Sequence, residues 1–237
     1  KRLALMAAIL VAPTMVMAQT DISTTLHNLA SAGNAERVLN TASNGRYCVF
    51  CHTPHNALTA SDALWNRDNG ASLTLNYNVG TTVNNTTLPG SIDADNASFK
   101  CMSCHDGSTT FGSLYSDPFS AALSNTANWA DGDLVLSDPQ FALDAGSAMN
   151  ENHPIGVEYP NADAVAGNYF THNTGAADAD YVDNGSIPAA ITLYRDTTGA
   201  ADGVECGSCH EVHDNSNGDF LVMSNDNSAL CLGCHIR

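Results

Sequence analysis

Cys48-Val49-Phe50-Cys51-His52-Thr53-Pro54-His55 is the stretch from which the rest of this sequence can be read. Its pattern, Cys-x-x-Cys-His, returns as Cys101-Met102-Ser103-Cys104-His105, Cys206-Gly207-Ser208-Cys209-His210 and Cys231-Leu232-Gly233-Cys234-His235. All 8 cysteines are used, two to a motif. On a helical turn, residues three and four apart share a face, so both thiols and the next imidazole address one body. This is the attachment pattern of c-type haem, in which two thiols bond to the porphyrin and the histidine ligates its iron from the proximal side. The expected cofactors are four covalently bound haem c groups, on Cys48/Cys51, Cys101/Cys104, Cys206/Cys209 and Cys231/Cys234. The expected proximal iron ligands are His52, His105, His210 and His235.

Three other chemistries use paired cysteines. A disulfide framework fits an even count in an exported chain, but leaves a histidine after every second cysteine unexplained. Structural zinc suits the spacing of the last two motifs alone; the first two lie too far apart. Thioredoxin-like redox chemistry wants one such pair in an α/β domain.

The motifs form a repeat. In units 48–105 and 206–235 the leading motif carries a second histidine three residues after the first, His55 and His213, and the trailing motif does not. Each proximal histidine leaves one axial position on its iron. His55 and His213 cannot reach the far side of their own iron, so each is expected to ligate a haem lying beside the first. His153, in His153-Pro154-Ile155-Gly156-Val157, and His27, in a short helical stretch near the front, complete the expected set. His172 is the spare, and Met149 and Met223 are the weaker alternatives. Only Ile236 and Arg237 follow the fourth motif. Its sixth ligand must come from far upstream or from another copy. His27 at the opposite end allows a head-to-tail exchange, which closes a ring or propagates a filament.

Lys1-Arg2, the apolar run Leu3–Val16 and Val16-Met17-Ala18 before Gln19 read as a cleaved signal peptide over 1–18, too short for a membrane span. The expectation is export, to the cell surface or beyond it, or to the periplasm, with residues 19–237 as a single tetrahaem domain and no membrane span in the mature chain. The formal charge is −17, and loss of Lys1 and Arg2 makes it more negative. Nucleic acid is thereby disfavoured as a partner. The acid cluster Asp178, Asp180 and Asp183 reads as an ordinary solvated one.

Aromatic residues are 7% of the chain, too few for a conventional core of this length. Helix signals are brief: 21–32 and a turn at each motif, the first limited by Pro54. Strand signals are weak, at Ser72–Val79 and Ala190–Tyr194. The stretches 80–98, 113–150 and 160–203 read as polar loops. The expected fold is mostly coil, with short helices and few short strands, wrapped around a stacked tetrahaem array that serves as the core.

Tyr47-Cys-Val-Phe-Cys-His-Thr-Pro-His-Asn56, Leu64-Trp-Asn-Arg67, Cys101-Met-Ser-Cys-His-Asp-Gly107, His153-Pro-Ile-Gly-Val-Glu-Tyr159, Val204-Glu-Cys-Gly-Ser-Cys-His210 and Ser228-Ala-Leu-Cys-Leu-Gly-Cys-His235 resemble the paired-CxxCH multihaem cytochromes. Within that group the resemblance is to tetrahaem extracellular cytochrome filaments (OmcE-like nanowire cytochromes). It departs from them at His210-Glu-Val-His213, where many relatives have proline before the second histidine. The resemblance implies a continuous haem array with bis-histidine ligation by His55, His153, His213 and His27, the last across subunits. It implies electron transfer rather than catalysis, with other copies and redox proteins as partners. A monomeric periplasmic shuttle and a multihaem reductase are the alternatives. The reductase needs an open iron position, and the five further histidines exceed the four required.

Overall fold

The computed structural model describes residues 22–30, 46–58, 64–68, 72–75, 82–83, 86–111, 113–116, 135–136, 141–143, 149, 152–159, 187–195 and 202–235. The expected signal peptide, His172 and the Asp178–Asp183 cluster lie outside these residues.

Coil dominates, and the regular elements are short. A 3₁₀ turn, Ile22–Thr24, stands where a short front helix is expected, and another, Tyr47–Phe50, opens the first motif. Strand β1, Ser72–Thr74, lies in the expected Ser72–Val79 stretch, whose last four residues fall outside the described ones. Strands β2, Thr82–Val83, and β3, Thr86–Thr87, pair with each other, and β4, Ser91–Asp93, pairs antiparallel with β1. Helix α1, Ala97–His105, is the longest element among the described residues. Strands β5, Val157–Glu158, β6, Tyr194–Arg195, and β7, Asp202–Val204, form an antiparallel sheet with β7 in the middle. Helices α2, Cys206–Cys209, and α3, Ala229–Leu232, carry the last two motifs. Among the described residues no helix is long and apolar enough to cross a membrane.

Among the described residues the buried apolar side chains form three clusters. One cluster joins Phe50 of motif one to Phe111, Leu114, Leu136 and Ala142. A second packs Phe99 and Met102 of α1 against Leu75, Ile92, Met149 and Ile155. A third gathers Tyr159, Ile187, Ile191 and Leu193 on Leu230 of α3. Each cluster holds at least one residue that lies inside or beside a Cys-x-x-Cys-His motif, so the small cores serve as seats for the motifs.

Candidate haem-binding site

The local fold turns each motif the same way. In α1, Asn96 caps the helix, its side chain accepting from Ser98 N at 2.9 Å. Met102 and Ser103 point inward, fully buried, while Cys101, Cys104 and His105 line the half-exposed face. In the other motifs the histidine N–H closes back on the first cysteine's carbonyl: His52 on Cys48 at 2.8 Å, His210 on Cys206 at 2.9 Å and His235 on Cys231 at 2.9 Å. Phe50, Ser208 and Gly233 take the inward position there. Both thiols and the imidazole of each motif thus share one side of a turn, and the eight thiols are free.

The histidines are the informative part. The His52 ring lies 6.1 Å from that of His213, centroid to centroid, with 23° between planes. His105 lies 6.1 Å from His27 at 80°, and His235 lies 6.2 Å from His153 at 65°. Two trans metal–nitrogen bonds of about 2 Å, each with about 1.2 Å from nitrogen to ring centre, set imidazole centroids about 6.4 Å apart. Both planes contain the ligand axis in such a pair, so any angle between them is compatible. Each pair joins a motif histidine to one from a distant part of the chain. The structure brings His153, from far upstream, to His235 and His27 to His105. His55 is exposed, its carbonyl held by Thr53 Oγ1 at 2.7 Å, and among the described residues no ring contact joins it to His210. Met149 is buried in the α1 cluster.

Four of these rings have their other nitrogen engaged. Nδ1–H of His105 donates to Phe141 O at 2.7 Å, that of His210 to Asp219 O at 2.9 Å and that of His153 to Pro154 O at 2.8 Å. His213 Nδ1 meets the Glu211 carboxylate at 3.2 Å. A carbonyl or carboxylate there makes Nδ1 the donor, which leaves the Nε2 lone pair for a metal. Burial pushes the His235 pKa down, and His153 beside it adds to the effect, which also favours a neutral ligand. His27 is held from behind by Phe220, stacked at 4.7 Å. Phe220 has φ +56°, a left-handed conformation unusual for a bulky residue, in a turn where Asn215 Oδ1 accepts its N–H at 2.8 Å. One turn therefore both orients His210 and backs His27.

Thiols of successive motifs come close. Cys101 and Cys206 share a hydrogen bond, which together with burial holds the Cys101 thiol well above its usual pKa. Burial pushes Cys51 up to about 12; Cys104 adds to this and Arg67 opposes it. Burial likewise raises Cys104 against the pull of Arg67. Cys234 rises to about 11 through burial, with Cys209 adding. The contact between motifs two and three is clamped by Glu205, which is 6% exposed. Its carboxylate accepts from Asn96 Nδ2 at 2.8 Å and from Ser98 Oγ. Ser98 Oγ in turn accepts from Cys206 N at 2.8 Å.

The residues fit haem better than the alternatives. No two thiols of one motif pair, and among the described residues no group of three or more His, Cys, Asp or Glu converges as zinc requires. Trp65, edge-on to His52 at 5.9 Å, buries an Nε1–H with no acceptor among the described residues, a donor suited to an acceptor group of a bound cofactor. Two groups of residues were not assigned a role from sequence: the Glu205 clamp and the buried strip Trp65-Asn66-Arg67. The one advance signal was an arginine directly after Leu64-Trp65-Asn66 in a chain with only 8 basic residues.

Among curated proteins none matches the chain. Residues 199–237, which carry motifs three and four and His213, match a family model described as a doubled CXXCH motif. The shared feature is the covalent haem-attachment pair itself, and it supports a multihaem c-type cytochrome that transfers electrons.

Proposed function

We propose that the chain is a tetrahaem electron conduit, with one haem c at each motif and electrons passing along a row of closely spaced irons. Haem supplies the one-electron chemistry when bound, and the protein sets spacing, orientation and potential. The observation that carries this reading is the set of three imidazole pairs, at 6.1, 6.1 and 6.2 Å. His213 then serves the iron of motif one, His27 that of motif two and His153 that of motif four. We assign motif three to His55, the other histidine of a doubled motif, so that motifs one and three exchange their second histidines. Thiol contacts between motifs support short distances along the row. With every axial position filled, no iron is left open for substrate, which sets a reductase aside. The test is electron paramagnetic resonance of the oxidised holoprotein. Low-spin signals alone support the reading, and a substantial high-spin signal refutes full bis-histidine ligation.

The finer proposal is export and assembly into a conductive extracellular filament, with other copies and surface redox partners as neighbours. It rests on the resemblance of the motif order to filament cytochromes. The acidic surface opposes self-association, so assembly needs specific contacts. His27 ligation in trans would be an exchange of the His27–His105 pair between copies. A second reading, a self-contained periplasmic shuttle, is favoured by that same pair lying within one chain. Negative-stain imaging of native secreted material separates the two. Filaments that persist in His27→Ala would remove the exchange.

A further inference from the structure

The strip Leu64–Asp68 belongs to no regular element, yet it contains the most buried cation of the described chain. Trp65, Asn66 and Arg67 are 8%, 0% and 0% exposed. The strip is zipped to motif one by Asn66 N on Cys51 O and Thr53 N on Leu64 O, both at 2.9 Å. On its other side Asp68 N donates to Ser113 O at 2.9 Å and Tyr115 N to Asn66 O at 3.1 Å. It therefore lies between motif one and the segment after motif two.

The Arg67 guanidinium has only neutral acceptors. Nη1 donates to Phe111 O at 2.6 Å, and Nη2 to Thr110 O at 2.6 Å and Ser103 O at 3.1 Å. Ser103 lies inside motif two. Nε is buried with no acceptor at all. The nearby Asp106 carboxylate is taken up by the N–H and hydroxyl groups of Ser108 and Thr109, at 2.6–3.0 Å. An arginine keeps its proton under all ordinary conditions, so this is a permanent positive charge removed from water. Its field reaches Cys51 of motif one and Cys104 of motif two. Beside Cys206 of motif three the buried ionisable neighbour is instead an acid, Glu205.

Adding an electron to an iron centre is favoured by a nearby positive charge, and the effect is strongest away from water. We propose that Arg67 sets the direction of electron flow within the chain. Its buried charge favours the reduced state of the haems on motifs one and two over those on motifs three and four. One electron then passes from a ferrous centre of the rear unit to a ferric centre of the front unit. One iron is oxidised, one is reduced, and Arg67 keeps its proton throughout. The inference rests on haem attachment at the motifs.

The experiment uses holoprotein of the wild type, Arg67→Gln and Arg67→Lys, each checked first for attached haem by intact mass. The near-parallel pair of motif one, at 23°, gives a rhombic low-spin resonance, distinct from the strongly anisotropic signals of the 65° and 80° pairs. A redox titration followed at that resonance reads the haem of motif one, which among the three paired motifs is the near-parallel one. In the wild type it is reduced ahead of the motif-four signal. In Arg67→Gln the ferric-to-ferrous ratio at the wild-type midpoint rises about tenfold, about 59 mV for one electron. Arg67→Lys keeps the wild-type midpoint, although it cannot reproduce three carbonyl bonds. An unchanged midpoint in Arg67→Gln overturns the proposal, and so does an equal fall in both variants, which would make Arg67 a brace only. If neither variant folds, the wild-type order decides, and reduction of motif four first overturns it. Protein without covalent haem would instead defeat the underlying reading.

Discussion

Replacing His213 with glycine should change the iron of motif one, although His213 follows motif three in sequence. His213 stands three residues after His210, but its ring faces His52 at 6.1 Å. The substitution removes one axial ligand, so about one haem in four becomes high-spin or takes up an external ligand. The signal lost should be the rhombic one, because of the three imidazole pairs His52–His213 is the near-parallel one, at 23°. The 65° and 80° pairs keep their signals. The fold itself should hardly notice the lost contact with Glu211. The two side chains are 60% and 53% exposed, and an ion pair in that setting contributes about 0–1 kcal/mol. The assay is resonance of oxidised wild type and variant at equal haem, repeated with added imidazole. One equivalent of imidazole per chain should restore a low-spin state. Loss of a strongly anisotropic signal, with the rhombic one intact, would refute the cross-unit pairing.

Three further perturbations test the scaffold. Asn66→Ala removes bonds to Val49 O at 2.7 Å, Ser116 O at 3.2 Å and Ser116 N at 2.8 Å, leaving buried backbone groups without a partner. It should cost about 2–5 kcal/mol in denaturant unfolding, and a loss below about 0.5 kcal/mol would contradict the brace. Gly156→Ala places a side chain at φ +65°, where its Cβ would meet Ile92 Cγ2 at 3.1 Å and Pro89 Cγ at 3.2 Å. A loss of about 1–2 kcal/mol or more is expected, with the 65° signal broadened because the His153 turn shifts, and unchanged thermal unfolding would count against it. Burial raises the Glu205 pKa in the folded chain, so its contribution is complete below the ordinary carboxylate value of about 4.3 and is lost as pH climbs through the raised one. Glu205→Gln should therefore gain stability relative to wild type as pH rises from about 4 to about 7, and a variant that loses ground instead would show that the ionised form is the stabilising one.

The attachment motifs are legible in sequence because their chemistry is local. Cys, Cys and His must lie within one turn, so spacing alone reveals them. The doubled histidines are legible for the same reason, since His55 and His213 sit at fixed offsets from His52 and His210. Which imidazole faces which motif is not local. It depends on Glu205 bonding Asn96 and Ser98 across more than a hundred residues, and on the left-handed Phe220 turn behind His27. The sequence reading left the fourth motif's ligand open between a residue far upstream and a head-to-tail exchange of His27. Within the chain the His27 ring lies 6.1 Å from that of His105, at the end of α1. Strands of two or three residues, such as β2 or β5, are too short for an alternating pattern to declare itself. The strip Trp65–Arg67 has no periodicity, and its burial follows from carbonyls supplied 36 to 44 residues later.

Intact mass of the mature protein, purified from cells that attach haem to cysteine, tests the whole scheme most directly. Haem at all four motifs predicts the polypeptide plus four porphyrins, with none of the 8 cysteines open to a thiol reagent and an intense Soret band. A mass equal to the bare polypeptide, with reactive thiols or bound zinc and no Soret absorption, would contradict it.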